Sequence, residues 1–156
     1  MIRLRSAELD EQNVVLFFLH DQGKLYRLNG TSPPIHEANI RGEININEEN
    51  VLEYLRFFTY FVRGEEGAFY LAETVLDPLL PRFDDPALRA VLAGTVQPAT
   101  FERREENGNY LCRAVVYYSN ALFSADFAVE PTGMIRMIDD EPIATDLPCR
   151  MSGRLS

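Results

Sequence analysis

The sequence has few of the residues that build disulfide frameworks or metal sites. Among 156 residues it has two cysteines, Cys112 and Cys149, and two histidines, His20 and His36. Two cysteines do not make a disulfide framework for a chain of this size. Carboxylates would have to supply most ligands of any metal site, and no spacing groups them convincingly. The sequence therefore predicts no metal site and no cofactor.

Long hydrophobic runs are missing as well. The only apolar run near the N-terminus, Val14–Leu19, follows the acidic residues Glu8, Asp10 and Glu11. A secretion signal needs a longer run without acids, and a membrane span needs about 20 apolar residues. We therefore expect a cytoplasmic protein of bacterial type with reduced thiols and no membrane partner.

Positive charge is scarce, with 15 basic residues against 24 acidic ones and a formal net charge of -9. The acidic surplus is spread along the chain without an acidic tail. It favours solubility, and it repels nucleic acid and anionic lipid before any local contact forms. Nucleic acid is therefore not expected as a partner.

The common catalytic motifs are also absent, including glycine-rich phosphate loops, Cys-x-x-Cys and Gly-x-Ser-x-Gly. The most suggestive segment is Thr31–Asn39, where two adjacent prolines could stiffen a loop that holds His36, Glu37 and Asn39. Histidine is the usual general base near neutral pH. Spacing identifies no second catalytic partner, so the alternative is a linking loop with His36 packed on a rim, and we name no catalytic residue.

What the chain does have is apolar and aromatic content, at 46% and 11% of residues. This is ample for a packed core, and the length suits one domain over residues 1–156 with a mobile tail over 152–156. Near the N-terminus, Val14–His20 and Lys24–Leu28 flank a turn and predict a β-hairpin. A helix over Ala7–His20 is the competing interpretation.

Helices are predicted in the middle of the chain, after a proline-rich loop over Asn29–Ile35. The best candidate is Glu48–Arg63, which has Asn47 as its cap and an aromatic apolar stripe that includes Phe58. A short strand, Ala68–Glu73, should follow. A second helix should begin after Asp85 and end before Gly94, and its apolar edge comprises Leu88, Val91 and Leu92.

The C-terminal half is predicted to be a four-stranded antiparallel meander. The expected strands are Ala99–Glu105, Tyr110–Tyr118, Ala121–Val129 and Met134–Ile138. Asn107–Gly108 and Ser119–Asn120 are taken as two-residue turns, which fixes the register. Arg113 should then lie between Glu102 and Asp126, and Phe101 should lie opposite Ala114. One face, the inner face, is apolar and consists of Phe101, Cys112, Ala114, Val116, Phe123, Ala125 and Phe127.

A long helix laid on a twisted antiparallel meander resembles the cystatin-like or NTF2-like superfamily of cone-shaped α+β folds. The resemblance covers the order of elements from Asn47 to Asp139. It implies a pocket between helix and sheet, and it implies no chemistry, because the superfamily includes ketosteroid isomerases, dehydratases, ligand binders and scaffold subunits. The acid–histidine pairs of the enzymatic members have no assignable match in this chain.

Two functions follow from the predicted pocket. The first is a non-catalytic module that binds a small apolar ligand or a protein partner. The second is a small isomerase, lyase or hydrolase that uses His36 or Glu37 at the mouth of the pocket. The candidate ligand-binding residues are His36, Glu37, Asn39, Phe58, Phe101, Phe123 and Phe127.

The opposite, outer face of the meander predicts association. It carries large apolar side chains around Arg113, namely Leu111, Val115, Tyr117, Leu122, Met134 and Ile138. Such a patch exceeds the few hundred Å² that soluble monomers usually expose, so a second copy of the chain should cover it. The predicted dimer interface is Leu111, Arg113, Val115, Tyr117 and Leu122. The alternative is that the chain's own terminal segments wrap over this face.

Overall fold

The computed structural model describes residues 1–5, 15–77, 80 and 85–147, and within them the fold is α+β with mostly antiparallel sheets. The predicted tail over 152–156 lies outside the described residues. The elements are β1 Ile2–Arg5, β2 Val15–Asp21, β3 Lys24–Arg27, α1 Pro33–Arg41, α2 Val51–Phe61, β4 Arg63–Gly64, β5 Gly67–Ala68, β6 Tyr70–Leu71, α3 Pro86–Thr95, β7 Thr100–Arg104, β8 Tyr110–Tyr118, β9 Ala121–Val129 and β10 Ile135–Ala144.

The predicted N-terminal hairpin is confirmed by β2 and β3. Asp21 pairs with Lys24 across a two-residue turn, in which Gln22 and Gly23 have φ of 42° and 83°. Two successive positive φ values suit a type I′ turn, whose twist matches the strands it joins. The competing helix is wrong over Val15–His20, and its earlier half lies outside the described residues.

Helix α1 replaces the last three residues of the predicted Asn29–Ile35 loop. Pro33 and Pro34 occupy its first two positions, where the missing N–H groups would have no helical acceptor in any case. The backbone N–H of His36 already donates to the carbonyl of Ser32 at 3.1 Å. The prolines therefore start a helix, and the loop prediction is wrong from Pro33 onward.

Helix α2 is shorter than the predicted Glu48–Arg63 at both ends. The side chain of Asn47 accepts a hydrogen bond from the N–H of Glu49 at 2.9 Å, which holds a separate turn before the helix begins at Val51. At the other end Val62 adopts an extended backbone and leads into β4. The helix therefore has 11 residues.

The chain between α2 and β7 differs from its prediction in detail. Instead of one strand over Ala68–Glu73, β5 pairs with β4 and β6 pairs with β8. The cap of α3 is confirmed, because the Asp85 carboxylate accepts a hydrogen bond from the N–H of Ala87 at 2.8 Å. Gly94 lies inside the last turn of this helix and not beyond it.

The main sheet runs in the order β10-β9-β8-β6, and β7 also pairs with β8. The predicted register of β8 with β9 is confirmed, since Ala114 pairs with Ala125 and Arg113 with Asp126. The two strands meet in a two-residue turn at Ser119, whose φ is 55°.

The predicted register of β7 is wrong. Phe101 pairs with Cys112 and not with Ala114, because the N–H of Glu105 donates to the carbonyl of Asn109 at 2.8 Å and closes a three-residue loop. A bulge between Phe101 and Arg103 then shifts the pairing once more. Thr100, not Glu102, therefore lies opposite Arg113, while Phe101 stays against the core of the inner face.

Strand β10 extends to Ala144, well beyond the predicted end at Ile138. The register with β9 shifts between Met137 and Asp139 and again between Pro142 and Ala144. These two irregularities break the alternation of apolar and polar residues, which is why the sequence pattern is lost there.

Two clusters of buried side chains cover the two faces of the sheet. The larger lies on the inner face, where α1 and α2 contribute Ile35, Val51, Leu55 and Phe58 among others. The smaller lies on the outer face and contains Ala72, Leu80, Leu92, Val115, Tyr117, Leu122 and Leu147. In the described part of the chain, no helix is long and apolar enough to cross a membrane.

The chain itself covers much of the outer face, which was expected to need a second copy. Val115, Tyr117 and Leu122 are buried against residues from α3 and from the segments around Leu80 and Leu147. Leu111 is also buried, whereas Met134 and Ile138 remain exposed. The homodimer stays a prediction. The apolar patch that motivated it is largely covered by the chain's own side chains.

Truncation of Phe58 tests the orientation of α2. Phe58 is 9% exposed and Tyr60, on the same helix, is 53% exposed. We expect Phe58→Ala to lower the free energy of unfolding by about 3–5 kcal/mol and Tyr60→Ala by about 1 kcal/mol or less. Chemical denaturation measures both. Equal losses would mean that α2 faces the sheet with a different side.

Candidate functional site

The aromatic residues expected to line a pocket belong mainly to the core. Phe58 and Phe127 are buried in the inner-face cluster, and Phe101 packs against it while half-buried. Phe123 is half-buried opposite Val116 and Pro142. Because side chains of α1, α2 and the sheet fill this region, the aromatic residues contribute packing, and their role in ligand binding stays a prediction.

His36 lies on α1, half-buried against the ring of Phe58 at a centroid distance of 5.7 Å. Burial lowers the pKa of His36 below its usual 6.5, and the nearby charge of Glu130 opposes that shift. Among the described residues no carboxylate hydrogen-bonds to the imidazole. The side chain therefore packs on an aromatic ring, and its burial favours the neutral imidazole.

Glu37 is exposed and forms an ion pair with Lys24 of the N-terminal hairpin. The same hydrogen bond raises the pKa of Lys24. A second pair, Arg41 with Asp21 at 3.7 Å, also joins α1 to this hairpin. Exposed pairs of this kind contribute little to stability. They do link α1 to the hairpin, and Lys24 already occupies the carboxylate of Glu37.

Asn39 belongs to a buried hydrogen-bonded bridge, which we call the latch. Its amide donates to the hydroxyl of Tyr54 at 2.8 Å, and that hydroxyl donates to the carbonyl of Gly133 at 2.7 Å. Burial raises the pKa of Tyr54, so the hydroxyl keeps its proton. The latch joins α1, α2 and the turn between β9 and β10, which gives Asn39 a structural role that its sequence neighbours did not reveal.

A polar hollow of about 230 Å³ opens where β8, β9 and β10 lie side by side. Its lining residues are Arg113, Ser124, Asp126, Asp139, Asp140 and Glu141, and we call it the acidic hollow. Arg113 forms a bidentate ion pair with Asp126, with Nε–Oδ1 at 2.7 Å and Nη2–Oδ2 at 3.0 Å. These hydrogen bonds raise the pKa of the guanidinium and lower that of the carboxyl.

The hollow carries an excess of negative charge. Four carboxylates and one guanidinium line it, which gives a formal charge of -3. Asp126 already neutralises Arg113, so the excess belongs to Asp139, Asp140 and Glu141, all exposed. Within the described ranges, no group of three or more Asp, Glu, His or Cys side chains is arranged to hold a metal ion. The hollow therefore presents acids to solvent without the geometry of a metal centre.

Exposed apolar side chains precede these acids along the chain, on β10 and in the turn before it. Met134, Met137 and Ile138 are 41%, 40% and 51% exposed. Sequence analysis placed Arg113 and Asp126 together but missed the rest of the hollow, because it ended β10 at Ile138. The available signal was the acidic run Asp139–Glu141 directly after an apolar strand.

Comparison with known proteins found no match: no protein-family model, no curated protein and no solved structure matches the chain.

Alanine in place of Gly133 tests the latch, with Gly108 as the matched control. Both glycines end three-residue loops at positive φ, 83° and 89°. An alanine at Gly133 would place its Cβ 2.4 Å from the Asn39 amide nitrogen, whereas nothing lies within 4 Å at Gly108. We expect Gly108→Ala to cost about 1–2 kcal/mol, and Gly133→Ala to cost about 1–3 kcal/mol more because the latch must break. Equal losses in chemical denaturation would contradict the latch.

Proposed function

We propose that this protein is a non-catalytic interaction module that binds a basic segment of a partner protein at the acidic hollow. The observation that carries the proposal is the formal charge of -3 in a concave surface whose acids lie on β10, a strand that also exposes apolar side chains just before them. Each of these two features supplies a different part of the recognition.

The carboxylates supply selectivity and fast encounter. The charges of Asp139, Asp140 and Glu141 add to the net charge of the whole chain, -9, so a cationic segment is attracted and an anionic one repelled. Because these carboxylates are exposed, they are not desolvated in the free protein, and salt screens their attraction. Lysine or arginine side chains are the groups that match them.

The apolar side chains supply contact area. Met137 and Ile138 precede the acids on β10, and Met134 lies in the turn before the strand. Methionine is flexible and polarizable, so it adapts to irregular partner surfaces. Met137 pairs with Phe127 on the inner-face side of the sheet, whereas Asp139 and Glu141 pair with Asp126 and Ser124 on the outer-face side. Apolar and acidic contacts are therefore offered on the two faces of one strand. A peptide that alternates basic and apolar residues would engage both features.

Catalysis has less support. Glu37 is ion-paired with Lys24, and His36 has no described carboxylate to orient it as a base. Burial raises the pKa of Cys112 to about 11, so this thiol is protonated and unreactive at neutral pH. An isomerase, lyase or hydrolase that uses His36 or Glu37 would need groups that these contacts do not supply.

We also propose that the fold is a variant of the cystatin-like or NTF2-like cone. The support is the position of α2 against the inner face of the meander formed by β7, β8, β9 and β10. In this chain the inner face is filled by side chains, which favours a protein partner on the outer face over a small apolar ligand between helix and sheet.

Charge neutralisation tests the proposal with a fluorescently labelled peptide of alternating lysine and leucine. We expect Asp139→Asn, Asp140→Asn and Glu141→Gln together to weaken binding at low salt by at least tenfold, since three charges leave the hollow. The matched control, Glu48→Gln with Glu65→Gln and Glu66→Gln, removes the same charge elsewhere on the surface and should weaken binding less than threefold. Equal losses in anisotropy titrations would show attraction by net charge alone and refute the proposed site.

A further inference from the structure

We infer that the basic segment binds as an added β-strand along the free edge of β10. This inference rests on the proposed function and specifies how the partner is held. Strand β10 lies at the end of the main sheet, and no described strand pairs with its other edge. A free edge offers backbone hydrogen bonds that an extended peptide can complete.

The turn before β10 fixes which backbone groups face outward. The N–H of Glu130 donates to the carbonyl of Met134 at 2.8 Å, so Met134 faces β9. Backbone groups alternate along an antiparallel strand, so Arg136 also faces β9, and Ile135 and Met137 face outward. Each outward residue presents one N–H and one carbonyl to a strand added beside β10.

The bulge after Met137 resets this alternation. Asp139 pairs with Asp126 and Glu141 with Ser124 in the shifted register. The backbone groups of Asp140 and Pro142 then face outward. Pro142 has no backbone N–H. Because this position faces the free edge, the proline removes no hydrogen bond between β10 and β9. The usable donors therefore run from Ile135 to Asp140, and strand addition ends at Pro142.

The same features disfavour a second copy of the chain at this edge. Two β10 strands paired about Asp140 would bring two acidic runs Asp139–Glu141 together, and in any register both strands would carry the bulge and Pro142. Charged residues, bulges and proline are the devices by which edge strands avoid pairing with their own kind. A basic strand meets the charge with the opposite sign, so the edge selects a lysine- or arginine-bearing segment.

Backbone methylation separates strand addition from side-chain docking. Three versions of the lysine–leucine peptide are compared: unmodified, N-methylated on the alternate residues that would face β10, and N-methylated on the other set. Methylation removes the N–H and leaves the lysine charges unchanged. Because the facing set is unknown in advance, both methylated peptides are tested.

We expect one methylated peptide to bind at least tenfold more weakly than the unmodified one and the other to bind within threefold of it. The unmodified peptide should also slow hydrogen exchange of the Ile135 and Met137 amides at least tenfold. Equal binding of all three peptides with unchanged exchange would overturn strand addition and leave the acidic hollow as the docking site. Failure of all three to bind would overturn the proposed function as well.

Discussion

Strand β8 has to bury side chains on both of its faces, and the rest of the fold depends on how that requirement is met. From Leu111 to Tyr117 every residue except Arg113 is buried. Helices α1 and α2 cover the inner face, and the cluster with α3, Leu80 and Leu147 covers much of the outer face. A strand buried in this way must be central in its sheet, which is its place between β9 and the pair β6 and β7.

Arg113 marks the place where this cover stops. The guanidinium is exposed and held by Asp126, so the outer face changes there from packed apolar side chains to polar ones. The bulges of β10 bring Asp139, Asp140 and Glu141 beside it, and the latch fixes the turn from which β10 starts. The acidic hollow is therefore the open remainder of a face that is otherwise buried, and its position follows from the packing around β8.

The sequence predicted what local rules determine and failed where tertiary contacts decide. The register of β8 with β9 follows from a two-residue turn, and the pairing of Arg113 with Asp126 agrees with it. The predicted register of β7 is wrong because Asn107–Gly108 also fits a three-residue loop followed by a bulge.

Other predictions were wrong where one local pattern allows two structures or where distant contacts decide. Pro33 can begin a helix as readily as it can end regular structure. Burial of Val115 and Tyr117 depends on α3 packing from a distance, which no local pattern encodes, and the hollow needed the bulges of β10.

Mapping a bound peptide onto the chain tests the central claim most directly. Backbone amide chemical shifts would be followed by NMR during titration with the lysine–leucine peptide. The account predicts that the largest changes fall on residues 124–126 and 135–141, with small changes on α1 and on the acidic turn at Glu65 and Glu66. Changes spread evenly over the exposed acids, or centred on His36 and the inner face, would contradict an interaction site at the acidic hollow.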